Sequence, residues 1–239
     1  SWSGGTLQIG DGGTSGVVLG NIVNYGGLVF NRSDLVTYDG EITANGSTTF
    51  TGGGTYVLTH SSSASGAVTI DAGTTVQWGN GGASGWLGAG ALGVSVAPMT
   101  NDGTLVIDRS SDRIYQGTIN GTGDFTKRGG GMVALRNINN YSGHTNVEAG
   151  TLLVDGSIAI SSETKVFSGA TLTGSGTVGR TTVLNGGIFA PGNHAASVSG
   201  VHKKVSSIGT MTVAGDLSLG AGSNFDVKVD DQGHADKAS

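Results

Sequence analysis

"YSGHTNVEAGTLLVDGS", residues 141–157, carries glycines at 143, 150 and 156 around one short apolar run at 152–154. The run is too short for an independent hairpin, and no helical apolar pattern surrounds it. The same arrangement, a Gly, Asn or Asp turn followed by an apolar–polar–apolar triplet, recurs along the chain. It appears in "GGTLQIGDGG" at 4–13, "SGAVTIDAGTTVQWGNGG" at 65–82, "NDGTLVID" at 101–108 and "AGDLSLGAGSNFDVKVD" at 214–230. Period-two alternation puts Leu7 with Ile9, Val68 with Ile70, Leu152 with Val154, and Leu217 with Leu219 on one face of their strands. Two-residue hairpin turns do not join the triplets in consistent pairs, so each strand needs a partner from another unit. Coiling the chain supplies one. Each strand then bonds to its equivalents one coil above and below at about 4.8 Å, and the apolar faces stack into one core. The expected fold is all-β, a parallel β-helix or solenoid. With roughly 20–25 residues per coil, the chain supplies about ten coils and a rod on the order of 50 Å long. A β-sandwich or barrel, which also uses short alternating strands, is the competing architecture.

Composition supports an ordered chain. Of 239 residues 46 are Gly and two are Pro, and the glycines interleave with Val, Ile, Leu and Thr runs, unlike a disordered linker. Corners between sheets need left-handed or open backbone angles, which gives Gly and Asn their cause. A formal charge of −5 with 12 scattered Lys and Arg offers no footprint for phosphate backbones or an anionic membrane, so nucleic acid is not an expected partner. The lack of Cys excludes disulfides and thiolate metal sites, and is compatible with passage through an oxidising compartment. No apolar stretch approaches the ~20 residues of a membrane-spanning helix. Starting at Ser1 with no signal-peptide pattern, the sequence reads as a processed piece of a longer chain.

A longer period overlies the triplets. An offset of 77 (101 − 24 = 77) aligns Asn24, Gly26, Leu28, Val29, Arg32 and Ser33 with Asn101, Gly103, Leu105, Val106, Arg109 and Ser110. The same offset matches Tyr38, Gly40 and Ile42 with Tyr115, Gly117 and Ile119, and Gly52, Gly53 and Gly54 with Gly129, Gly130 and Gly131. It also carries Leu58 onto Leu135, Gly66 onto Gly143 and Gly73 onto Gly150. If coils are uniform, this period spans three or four of them.

The stretch "GTGDFTKRGGGMVALRNINNYSGHTNVEAGTLLVDGS", 121–157, resembles the passenger-associated transport repeat of bacterial autotransporters (type Va secretion). The pattern is met by Gly121, Gly123, Thr126, Lys127, Gly129, Gly131, Leu135, Asn139, Tyr141, Gly143, Thr145, Val147, Gly150 and Leu152, and departs at Val133 and at 136–137. The last third, with Ala190-Pro191-Gly192-Asn193 and Ala235-Asp236-Lys237, looks like the tail of an autotransporter passenger, in or next to the autochaperone segment. The resemblance implies a right-handed β-helix exported through the outer membrane of a Gram-negative bacterium and held on or released from the cell surface. It also implies the chain's own translocator β-barrel as a partner; no alternating ~10-residue strands of such a barrel are present. Two spans follow: 1–150, β-helix coils with the 77-residue repeat and a protruding loop near 78–99, and 151–239, C-terminal autochaperone-like coils.

Motifs with catalytic or cofactor connotations have structural readings. Gly174 to Gly179 satisfies G-x-G-x-x-G, but a strand-like "RTTVLNGG" follows where a dinucleotide site needs a helix. "GDGGTSG" at 10–16 has no His/Asp pairing of a serine nucleophile nearby. His60, His144, His194, His202 and His234 are too scattered in sequence for a zinc motif, and no nine-residue Asp series suggests calcium, so no cofactor or metal is expected. Asp102, Asp108, Arg109, Asp112 and Arg113 form the densest charge group, read as a solvated corner. In "WGNGGASGWLGAGALGVSVAPM", 78–99, the strand rhythm breaks, placing Trp78, Trp86, Leu87 and Leu92 in a candidate partner-contact loop; the alternative is that the two Trp fill a gap in the core. A second insertion, 193–207, is mildly basic. The expected function is a non-enzymatic passenger, an adhesin or secreted virulence factor that contacts a host cell-surface protein or glycan, with C-terminal coils nucleating folding. A β-helix carbohydrate-active enzyme is the alternative, and the open edge near residue 1 points to self-association.

Overall fold

The computed structural model describes residues 4–88, 94–95, 97–194, 206–230 and 232–239. The described residues contain strands and turns but no helix, and the strands wind into a right-handed parallel β-helix with three faces. The second face is continuous: nine strands, one per lap, run from Leu35–Tyr38 to Leu217–Leu219. The first face starts at Thr6–Ile9, has seven strands to Asn140–Tyr141, and is taken over by a four-stranded sheet that opens at Ser157–Ile158. The third face consists of a four-stranded sheet ending at Trp86–Leu87 and a seven-stranded one from Val94–Ser95 to Asn224–Phe225. The second face passes residue 150 unbroken, so the spans 1–150 and 151–239 share one core. One pairing departs from the parallel pattern, with Asn193 against Ser207 and His194 against Ser206 antiparallel.

The structural period is about 20 residues. Leu35 pairs with Thr55, and Thr55 in turn with Thr75. Two laps are long: Val68 pairs with Met99 (99 − 68 = 31) and Thr181 with Leu217 (217 − 181 = 36). The second-face ladder runs through both long laps unbroken, whereas the third face changes from one sheet to the next within the first of them. As a result the 77-residue offset is not a whole number of laps. Leu28 lies on the first face between Leu7 and Thr48, whereas Leu105 lies on the second between Val76 and Phe125. The repeat has been carried one face around the helix, yet local corners are retained: the Tyr38 hydroxyl donates to Gly20 O at 2.5 Å, and that of Tyr115 to Ala97 O at 2.6 Å.

Inward residues form columns. Phe30 stacks on Phe50 with ring centroids 5.1 Å apart, and Tyr56 tilts against both at 5.9 and 5.3 Å. Further down, Trp78 meets Trp86 edge-on at 4.9 Å, and Tyr115 adjoins both. Parallel in-register stacking puts like side chains a strand spacing apart, so large rings pack without voids. Phe50→Ala should destabilise the protein by about 3–5 kcal/mol, read as a lower urea midpoint, because the adjoining rings cannot close the cavity.

Candidate functional site

The transport-repeat residues face the interior or the corners, where they tie laps together. Lys127 points inward from the second face and is wholly buried. Its ammonium donates to Arg128 O at 2.9 Å, Gly129 O at 2.7 Å and Ala149 O at 3.1 Å, so all three donors are used and two laps are joined. Burial pushes its pKa down to about 8, partly offset by Asp108 and Asp112, and the side chain remains charged at neutral pH. Asn139 accepts from the Ile119 N–H at 3.0 Å in the preceding lap and donates to Asn137 O at 2.8 Å and Ser157 O at 3.3 Å. The Tyr141 and Thr145 hydroxyls are 2.7 Å apart, Thr145 and Ser161 2.9 Å, and Ser161 donates to Gly143 O at 2.9 Å. Leu135, Val147 and Leu152 belong to the core. Thr126 is the exception, on the outward side of the second face, though it too is buried. Gly129 and Gly150 turn corners at positive φ, while a side chain at Gly131 would strike Ser111 O. At Gly143 a Cβ would lie 2.2 Å from Gly123 O in the lap above.

The proposed contact loop is corrected by burial. Trp78, Trp86 and Leu87 belong to the main core, with exposures of 1%, 3% and 0%, so they fill the interior where the long lap leaves the third face. Leu92 lies outside the described residues, as does most of the 193–207 insertion.

Within the dense charge group Asp102 is exposed and Asp108, Asp112 and Arg113 are half-buried, but Arg109 is not solvated. Arg109 is wholly buried and its pKa is pushed down to about 10, first by burial and then by the nearby charge of Arg113. Arg113, on the inward side of its strand, is likewise lowered by burial. Arg32, the 77-residue counterpart of Arg109, instead grips Asp34 through two hydrogen bonds of 2.9 and 2.7 Å. The signal available in the sequence was a second copy of "GDGGTSG": "GNGGASG" at 79–85 lies before Arg109 as the first lies before Arg32.

Charged pairs elsewhere are isolated on the surface, as in Arg128–Glu148 at 2.8 Å and Lys165–Glu163 at 3.1 Å. No three His, Cys, Asp or Glu side chains come together as a metal site among the described residues. The first face presents an outward row instead, in which Thr49, Thr69, Thr100, Asn120 and Asn140 are successive register partners.

Two substitutions in the repeat should differ sharply. Gly143→Ala forces a Cβ against neighbouring backbone and should cost about 1–3 kcal/mol, whereas Gly130→Ala, with open space around it, should stay within about 0.5 kcal/mol. Lys127→Met strands three buried carbonyls and should lower stability by at least about 2 kcal/mol in urea unfolding.

The passenger-associated-transport-repeat family matches residues 49–76 and 125–154. The two matches are themselves about 77 residues apart, so the internal period is the spacing of two copies, the second of which is the stretch at 121–157. The chain is 37% identical over 123 residues to an extracellular serine protease of Serratia marcescens, covering 52% of this chain and 10% of that protein. A second extracellular serine protease of Serratia marcescens is 32% identical over the same length, with the same coverage. The adhesin BmaC autotransporter of Brucella suis biovar 1 (strain 1330) is 56% identical over 45 residues, 19% of this chain and 1% of that protein. The chain thus spans a tenth or less of the length of these relatives. No solved structure matches it. With two transport repeats stacked in one parallel β-helix, the chain belongs to the passenger domains of autotransporters, placed outside the cell as secreted or surface-exposed protein.

Proposed function

We propose that this passenger works without catalysis, as an adhesive rod that contacts a protein or glycan on host cells. The observation that supports this reading is the row Thr49, Thr69, Thr100, Asn120 and Asn140, whose hydroxyls and amides repeat at about 4.8 Å along a flat sheet. A ladder of small donors and acceptors on rigid backbone suits the hydroxyl-rich surface of a glycan, and ordering it costs little side-chain entropy. The printed name of the Brucella relative, an adhesin, points the same way. A carbohydrate-active enzyme would need carboxylates converging on an outer face, and the surface carboxylates described above sit singly or in isolated ion pairs. Folding proceeds in this reading from the C-terminal laps, each lap offering an edge on which the one before it in sequence can pair. The chain's translocator barrel would hold that end during export. Self-association would use the first laps, where Val17, Leu19, Val23 and Leu35 are exposed.

Deletion of 78–99 would remove core residues, so surface substitutions make the proper test. Replacing Thr69, Thr100 and Asn120 together by Lys should leave circular dichroism and the melting temperature nearly unchanged and reduce binding of the purified protein to host cells at least about tenfold, the ~1.4 kcal/mol scale of a few lost polar contacts. Undiminished binding would remove the first face from the adhesive surface.

A further inference from the structure

The loops at 10–16 and 79–85 are two copies of one device. Both read Gly-x-Gly-Gly-x-Ser-Gly, with positive φ at Gly10, Gly12 and Gly16 and at Gly79, Gly81 and Gly85. Gly12 N–H donates to Asn31 O at 2.9 Å and Gly81 N–H to Asp108 O at 3.0 Å, each in the next lap. Ser33 N–H donates back to Gly13 O at 3.0 Å and Ser110 N–H to Gly82 O at 2.9 Å. An arginine of that next lap also bonds each loop, Arg32 donating to Gly16 O and Arg109 to Ala83 O.

The copies differ in how the guanidinium is neutralised. Asp34 accepts from both Nε and Nη2 of Arg32. The corresponding residue beside Arg109 is Ser111, a single hydroxyl that accepts from Nη2 at 2.9 Å. Nε and Nη1 of Arg109 are buried with no hydrogen-bond partner, and so is Nε of the adjoining Arg113. The neighbouring carboxylates are engaged otherwise: Asp112 accepts from Met132 N–H at 2.8 Å and acts on Arg113 and Lys127, and Asp108 acts on Lys127. A buried cation with unfilled donors is costly, and guanidinium donors match carboxylate and phosphate oxygens.

We infer that the corner formed by the 79–85 loop, Arg109, Ser111 and Arg113 is an oxyanion-binding site, taking from outside the acidic group that the first copy supplies as Asp34. The ligand class is a small carboxylate or tetrahedral oxyanion, free or carried by a larger acidic molecule. Because Arg109 is sealed from solvent, the anion is captured as the lap closes or when Ala83 O, in the loop, parts from Arg109.

The test is thermal unfolding of the protein in phosphate-free buffer, titrated with inorganic phosphate or acetate against chloride at matched ionic strength. At about ten times the dissociation constant the melting temperature should rise by roughly 3 °C relative to chloride, and go on rising with the logarithm of concentration, for at least one of the two anions. Ser111→Asp should raise the melting temperature without added anion and abolish the response, and Arg109→Gln should also abolish it. Absence in the wild type of any shift beyond that of chloride and of Arg109→Gln, which would leave water alone beside the guanidinium, overturns the proposal. So does an equal response in Ser111→Asp, or a melting temperature for that variant no higher than wild type.

Discussion

The backbone hydrogen bond from one lap to the next governs this molecule. Apart from the antiparallel pairing of 193–194 with 206–207, the strand pairs among the described residues are parallel except for brief bridges, and their partners lie a lap away in sequence. Parallel pairing demands a crossover, and here the crossover is the remainder of the lap. Stacking at the strand spacing also brings corner backbones together. Glycine at 26, 46 and 66 follows from that, since a Cβ at each would strike the carbonyl of the glycine one lap before. The abundance of glycine is thus a consequence of lap-on-lap contact, not of flexibility.

The transport repeat has a physical content within this frame. Inward positions carry apolar columns, but corners leave carbonyls and N–H groups facing the interior, where water is excluded and an unpaired group is costly. Lys127, Asn139, Tyr141, Thr145 and Ser161 answer these groups, and all but Tyr141 bond into an adjoining lap. The first copy keeps the same tie with a different residue: Ile42 N–H donates to Ser62 Oγ at 2.9 Å, as Ile119 N–H does to Asn139. Such ties bind each lap to its neighbour.

The solenoid tolerates insertions because the second-face ladder runs through the long laps unbroken. The long lap from Val68 to Met99 lets a repeat unit rotate by one face and places a Trp pair inside. It also brings a duplicated glycine loop over Arg109, where a change from Asp34 to Ser111 converts an internal ion pair into a cation with donors to spare.

Strand identity, lap-to-lap pairing and the transport repeat were legible in the chain itself. Alternation selects the inward residues of each triplet, and a close-packed corner admits little but Gly, so both constraints act locally and leave a local trace. Only the tertiary structure decided the true period, the burial of Trp78, Trp86 and Leu87, and the fate of Arg109. Each of these depends on which lap lies above which, and a 31-residue lap among 20-residue ones shifts that register without altering any local signal. A tryptophan in a glycine-rich stretch reads alike whether it faces solvent or core; the neighbours that bury it come from laps far away in sequence.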